Sequence, residues 1–288
     1  MKHSIENRNA TDFGITFETK CYENDWEYLL KTNYLDLMIS RCNINFEFKQ
    51  LIINNVENPE IVKKYAQKKI DKGIIDAFYV VDDYIDEALQ FFDINKESFG
   101  KGYNYSSSEL VGLYLSKTKY HLHFSSDAFL PKLSKSDWIK EACQILDMNS
   151  EYAVANPCWD YEFETAIGQS VKSNFGNFIV GYGFSDQCYL VRSADFRAQI
   201  YNFKHPDSER YPKYGGELFE KRVDSFMRTN QLFRLTHSKE SYVHRNFPKS
   251  LILRKIMLIM IRLNLYLFVR NLKIQLFNVL NIDLQMRR

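Results

Sequence analysis

Strand and helix patterns alternate along the first half of this chain, and alternation of that kind admits few folds. Phe13, Ile15 and Phe17 alternate with Gly14, Thr16 and Glu18, the period of a strand over Phe13 to Lys20. Helical spacing follows from Trp26 through Met38, with Asn24 or Asp25 as N-cap. Gln50 to Ile53 reads as a short buried strand that stops at Asn54-Asn55, and Asn58-Pro59 opens the next helix, with proline suited to its first turn. Asp76 to Val81 is a third strand, stopping on Asp82-Asp83, and a helix begins at Tyr84. A further helix through Ser106 runs into Lys119 to Phe124, a fourth strand that ends abruptly on Ser125-Ser126-Asp127. Four strand-then-helix units in a row predict an α/β fold with a mostly parallel central sheet flanked by helices, and right-handed crossovers put every strand end on one side. Thr19 to Glu23, Asn54-Asn55, Asp82-Asp83 and Ser125 to Asp127 are therefore expected to line one crevice, the place where open α/β sheets bind ligands.

Beyond Trp138 the pattern loosens. Glu141 to Leu146 reads as helix, and Tyr152 to Ala155, Asn177 to Gly183 and Cys188 to Arg192 as strands. A loop from His205 to Gly216 leads into a helix over Glu217 to Arg228. A content of 45% hydrophobic and 26% charged residues in 288 is enough for one substantial core and rules out a disordered chain. The 19 Tyr and 22 Phe serve packing first, and leave rings for stacking on a ligand. Cys21, Cys42, Cys143, Cys158 and Cys188 are scattered, odd in number and without a CxxC pair, which reads as reduced thiols in a cytosolic compartment. Met1 to Asp12 is polar and is not a secretion signal.

The net charge of +2 hides a division of the chain into 1–248 and 249–288. The last stretch carries eight Lys and Arg against the single acid Asp283, a net of +7, which leaves −5 for the body. Leu251 to Val269 is apolar but interrupted by Arg254, Lys255 and Arg262, so its longest uncharged run is too short to span a bilayer. At ~100° per residue Lys255, Arg262 and Lys273 form a narrow basic stripe on an oily helix. That pattern predicts an in-plane helix on a membrane surface, with packing on the body or pairing with a second copy as the other uses of such a face. Basic residues embedded in leucine and isoleucine, beside an acidic body, speak against nucleic acid as a partner.

Two stretches carry a resemblance to a known family: Leu51-Ile52-Ile53-Asn54-Asn55, and the run from Gly102 to Asp127 in which a helix with small residues precedes a strand ending in a carboxylate. In both, and in the order of elements over roughly 13–245, the chain resembles the GT-A glycosyltransferases, family 2-like, of the type that builds bacterial capsules and lipopolysaccharide. The resemblance implies transfer of a sugar from a nucleotide-sugar donor, a UDP-sugar, to a surface-polysaccharide or lipid-linked oligosaccharide acceptor, with inversion, at the cytoplasmic face of the membrane. It implies Thr19, Tyr22, Asn54, Asn55, Asp82, Ser125, Ser126 and Arg222 around the nucleotide sugar, and Asp127 and His244 on Mg2+ or Mn2+. Where the family carries Asp-x-Asp this chain has Ser125-Ser126-Asp127, so one carboxylate must hold the ion together with phosphate and water oxygens.

An inverting transfer needs a carboxylate to take the acceptor's proton. The resemblance points to Glu217, after Gly215-Gly216 and ahead of its helix, with Glu220 second. Glu217 also suits the dipole at a helix start for structural reasons alone. Arg222 or Arg245 is placed to neutralise the departing diphosphate. Trp159 and Asp160 suit the acceptor, as a sugar-stacking indole and a hydroxyl-binding carboxylate, although an indole in the core reads equally well. His121 and His123 share one face of their strand, at a spacing that serves a metal or, more simply, packing against a helix. Two other functions stay open: a sugar-phosphate nucleotidyltransferase, which would want a glycine-rich loop absent from Thr19 to Asp25, and a degenerate carbohydrate-binding or scaffold protein.

Overall fold

The computed structural model describes residues 13–131, 133–212, 216–244 and 247, together with 252, 253, 256 and 259. Along the chain these form β1 (Ile15–Cys21), α1 (Trp26–Lys31), α2 (Tyr34–Ser40), β2 (Phe48–Ile53), α3 (Pro59–Asp71), β3 (Ala77–Val80), α4 (Ile85–Phe91), α5 (Tyr103–Leu115), β4 (Tyr120–Phe124) and β5 (Ala128–Phe129). The second half adds α6 (Trp138–Met148), β6 (Tyr152–Trp159), α7 (Phe163–Gly168), β7 (Phe178–Gly181), β8 (Cys188–Arg192), α8 (Ser193–Phe196), α9 (Phe219–Thr229) and β9 (Phe233–His244).

The strands form one sheet in the order β3-β2-β1-β4-β8-β6-β9-β5, with β7 also paired to β9. β1 is parallel to both β2 and β4, and β2 to β3. β8 runs antiparallel between β4 and β6, and β6 is parallel to β9. The result is a sheet flanked by helices, parallel over β3-β2-β1-β4 as the alternation predicts and mixed beyond β4, where β8, β7 and β5 each run antiparallel to their neighbours. Period-two geometry sends Ile15, Phe17, Leu122 and Phe124 into one core, with α1, α2, α3 and α6. The other core holds Ile52, Tyr189 and Val191 with α4, α5 and α9. All five cysteines are buried and unbridged.

Local chemistry explains where the elements depart from expectation. The helix expected over Trp26 to Met38 is broken at Thr32, which is extended at φ −124°. Its hydroxyl donates to the Tyr28 carbonyl and accepts from the Tyr34 amide at 3.0 Å, while Lys69 Nζ donates to the Thr32 carbonyl at 2.7 Å. The backbone groups freed by the break thus find partners. α3 begins as expected, with Asn58 Oδ1 accepting from the Ile61 amide at 3.1 Å and Pro59 in the first turn. β6 runs past Ala155 through Pro157, because the register on β9 shifts between Pro157 and Cys158 and a bulge tolerates the missing donor. β1 extends to Cys21, past the expected Lys20, and α9 starts at Phe219 instead of Glu217.

Tyr214, Gly215 and Arg245 lie outside the described residues. So does the tail from 249, apart from Ile252, Leu253, Ile256 and Ile259, which are helical and exposed. Among the described residues no helix is long and apolar enough to cross a membrane.

Candidate active site

At the carboxyl ends of β1 and β4 a cavity of about 810 Å³ opens, lined among others by Lys20, Tyr22, Asp25, Ser125, Ser126, Asp127, Asp186, Glu220 and His244. Its floor is made where β4 stops. The Ser125 amide donates to the Gln187 carbonyl at 2.9 Å, turning the chain, and Ser125 Oγ donates to Asp127 Oδ1 at 3.1 Å. β5 then pairs antiparallel with the end of β9, setting Ala128 opposite His244. This pairing brings His244 Nε2 to 3.2 Å from Asp127 Oδ1. The His244 amide donates to Asp160 Oδ1 at 3.0 Å, which fixes the end of β9 to the end of β6.

A second carboxyl group stands beside Asp127. Asp25 Oδ1 accepts from the Tyr22 amide at 2.6 Å, and Asp25 Oδ2 accepts from Ser126 Oγ at 2.5 Å. Burial drives the Asp25 pKa up; those two bonds oppose it, the Asp127 charge adds to it, and the group is raised to about 7. Asp25 precedes α1 as expected, but its carboxylate does not cap the helix. Lys20 is ion-paired to the fully buried Glu109 of α5 and lies 3.9 Å from Asp186. Burial works against its charge, yet Tyr22, Asp186 and Asp127 outweigh it and hold Lys20 above the ordinary lysine value. Ser108 links the same network, donating to Glu109 Oε2 at 2.8 Å and lying 3.0 Å from the Tyr22 hydroxyl. Across the cavity, burial and the charge of Asp186 raise the Glu220 carboxyl well above its usual range, against the pull of Lys20.

A smaller cavity of about 360 Å³ adjoins the first, sharing Asn55 and Asn104, and is lined by Asn54, Asp82, Asp86, Lys96 and Tyr103 as well. Asn54 follows β2 directly, and its side chain donates to the Asn104 carbonyl at 3.2 Å and to Ser107 Oγ at 3.3 Å. Asn55 takes a left-handed conformation, φ +48°, which asparagine tolerates better than other residues with a Cβ, and also donates to Asn104. Asp82 sits exposed in a 3-10 turn directly after β3.

Asp127, His244, Glu220, Ser125, Ser126 and Tyr22 thus meet at one cavity, and Asn54, Asn55 and Asp82 meet at its neighbour. Five candidates line neither cavity. Thr19 is fully buried within β1, on the face where Phe17 and Cys21 enter the core. Glu217 precedes the helix and is bound by Lys221 Nζ at 2.8 Å; the later start of α9 presents Glu220 to the cavity in its place. Arg222 is buried on α9, donating to the Tyr201 carbonyl at 2.7 Å and the Ser98 carbonyl at 2.9 Å, with its guanidinium 4.0 Å from the Phe99 ring centroid. Trp159 ends β6 with the Arg234 guanidinium 5.1 Å from its ring. Asp160 reaches the site through the His244 backbone and does not line the cavity.

Sequence reasoning put Lys20 on the crevice within Thr19 to Glu23 but gave it no role, missed Asp186 and Glu109, and saw Asp25 only as a cap. Lys20 had a signal, since it continues the phase of Thr16 and Glu18 to the ligand end of β1. Asp186 and Glu109 had none, as each acquires its place from contacts far along the chain.

No family model matches the chain, and no curated protein matches it. Among solved structures it is similar to glucosyl-3-phosphoglycerate synthase from Mycobacterium tuberculosis in complex with Mn2+, UDP and glucosyl-3-phosphoglycerate. The identity is 10%, over 87% of this chain and 80% of that one, with a TM-score of 0.43. The same synthase with Mg2+ and UDP matches at 12% identity over 87% and 79%, TM-score 0.44. S. aureus TarS 1-349 matches at 10% identity over 80% of this chain and 60% of that one, TM-score 0.41. Likenesses this distant leave the chemistry to be read from the cleft itself.

Proposed function

We propose that the cleft binds a nucleoside-diphosphate sugar, a UDP-sugar, and that the chain is a GT-A glycosyltransferase that passes the sugar to an acceptor hydroxyl with inversion. The observation that carries this reading is the meeting of Asp127 and His244 at the carboxyl end of β4, across a shared cavity from the carboxyl group of Glu220. A carboxylate oxygen and an imidazole nitrogen at one spot fit Mg2+ or, better, Mn2+, with further positions left to diphosphate oxygens and water. Such an ion, held by Asp127 and His244, would neutralise charge gathering on the departing diphosphate.

The chain's own residues supply the rest. Lys20, kept charged inside the cavity, is placed to pair with phosphate oxygens, and Ser125 and Ser126 hold Asp127 and Asp25 in position. Asn54, Asn55 and Asp82 offer the neighbouring cavity to the base and ribose. Glu220, ionised, takes the proton of the acceptor hydroxyl as that oxygen attacks the anomeric carbon. The bond from that carbon to the phosphate oxygen breaks, and its electron pair leaves with the nucleoside diphosphate. Asp160 serves by holding the His244 backbone at the end of β9, away from the acceptor itself. The acceptor we assign is a surface polysaccharide or lipid-linked oligosaccharide at the inner face of the cell membrane. The tail supports this: its net charge is +7, and Ile252, Leu253, Ile256 and Ile259 are exposed at helical spacing, a composition suited to an anionic lipid surface.

The test is a thermal-shift and hydrolysis screen of nucleotide sugars with and without Mn2+. A Mn2+-dependent shift with a UDP-sugar is expected, and no response to any donor would overturn the assignment. Glu220→Gln is expected to keep the shift and slow transfer by about 10²–10⁴-fold. Because Glu220 is raised, its ionised fraction grows as pH climbs, so transfer by the native chain is expected to rise with pH through neutrality.

A further inference from the structure

A second cluster of chemistry-bearing side chains lies inside the core, away from the cleft. On β1 and its neighbours, register sets Glu18 beside Gln50 and His123, and Thr16 beside His121. Glu18, Gln50, His121 and His123 are all fully buried. α5 crosses over them with Gly112, where a Cβ would stand 1.9 Å from Glu18 Oε2, so a glycine at that turn makes the room the carboxylate occupies. Glu18 Oε2 accepts from Gln50 Nε2 at 2.5 Å. Its Oε1 faces the imidazoles, 3.0 Å from His123 Nδ1 and 3.4 Å from His121 Nε2.

Burying a carboxylate is costly unless a positive charge and hydrogen bonds compensate it, and buried imidazole nitrogens need partners of their own. Here His121 Nδ1, His121 Nε2 and His123 Nε2 make no hydrogen bond among the described residues. Donor atoms of Glu18, His121 and His123 all lie within 4.8 Å of one another. An ion bound tetrahedrally through bonds of about 2.0–2.1 Å holds neighbouring donors roughly 3.3 Å apart. The two observed contacts, 3.0 and 3.4 Å, bracket that edge. Gln50 fixes the second carboxylate oxygen, and the Tyr189 ring stacks on His123 with centroids 4.8 Å apart, which are the outer contacts that orient metal ligands.

We infer that Glu18, His121 and His123 bind a zinc-class divalent ion within the core, at a structural site separate from the cleft. Two imidazoles and a carboxylate suit zinc better than Mg2+ or Ca2+, which prefer all-oxygen sets. With every ligand fully buried, the ion enters as the chain folds. The inference does not depend on what the cleft binds.

The test is metal analysis of the full chain produced with added zinc and dialysed, alongside the double variant Asp127→Ala/His244→Ala and the single variant His121→Gln. About one zinc per chain is expected in the native protein and in the cleft double variant, with occupancy lowered roughly tenfold or more in His121→Gln. X-ray absorption at the zinc edge is expected to show nitrogen and oxygen donors with imidazole scattering and no sulfur. A native chain free of zinc would mean that a shared proton holds the cluster, and would overturn the inference. Zinc that disappears with the cleft substitutions, or that shows sulfur donors, overturns it equally. These readings on the native chain and the cleft variant decide the matter even if His121→Gln does not fold.

Discussion

Glu18 in the middle of β1 and Asp25 just beyond its end are both buried carboxyl groups, yet their surroundings push them in opposite directions. Burial alone would raise either. At Glu18 the two imidazoles outweigh burial and take the pKa down to about 2. At Asp25 the partners are one hydroxyl and one amide, Asp127 adds a like charge, and the group rises to about 7. The difference separates scaffold from site: inside the sheet every charge is answered, while at the cleft like charges are left facing one another. A cleft with unbalanced carboxylates is one prepared for a cation or a proton transfer.

The strongest way to break this contrast is to spoil the answered charge. Gly112→Ala puts a methyl onto the Glu18 carboxylate and displaces it from Gln50 and the imidazoles. Denaturant melts are expected to show a loss of about 3–5 kcal/mol, the cost of breaking a buried charged set. Gly168→Ala is the matching control, since nothing lies within 4 Å of a Cβ there, and its effect is expected to stay within about 1 kcal/mol.

A sharper test compares Glu18→Gln with Asp25→Asn across pH. The folded chain holds a proton on Asp25 up to about 7, against 3.8 for the ordinary group, so folding binds more protons in that window and native stability falls as pH rises through it. Asp25→Asn is expected to flatten that fall and to equal or exceed the native stability at pH 8. Glu18→Gln should lose about 3 kcal/mol near neutrality, where the carboxylate is ionised and paired. Equal and same-signed effects of the two substitutions would erase the distinction.

Ser126→Ala probes the smallest effect. It deletes the hydroxyl that donates to Asp25 Oδ2, and should lower stability by about 1 kcal/mol while moving the Asp25 pKa higher still, read by carbon NMR of the labelled carboxyl. A downward movement would show that the Ser126 hydroxyl does not stabilise the Asp25 carboxylate.

Much of this arrangement was legible in the sequence because its signals are local. A strand announces itself within a few residues by period two, and Asn58-Pro59 or Ser125-Ser126-Asp127 mark an element's end where it happens. Polar loops at the strand ends follow from parallel topology, so Asn54, Asn55, Asp82 and Asp127 are expected along one crevice; the structure divides them between two adjoining cavities. Residues whose role depends on exact phase were misplaced: Thr19 shares the face of β1 on which Phe17 and Cys21 enter the core, and the later start of α9 exchanges Glu217 for Glu220. Arg222, on the same helix, turned out to answer the carbonyls of Tyr201 and Ser98 in place of a phosphate.

By itself the sequence determined the alternation of strands and helices, the side of the sheet on which polar loops gather, and the alternating face that carries both histidines of β4. Only the tertiary structure decided that β5 pairs with the end of β9 and so sets His244 against Asp127, that Lys20 meets Glu109, and that Gly112 sits over Glu18. The physical reason is range. Backbone periodicity and capping act over one or two turns, whereas these meetings join residues far apart in the chain, and they exist only once burial of both cores has fixed the register of the whole sheet.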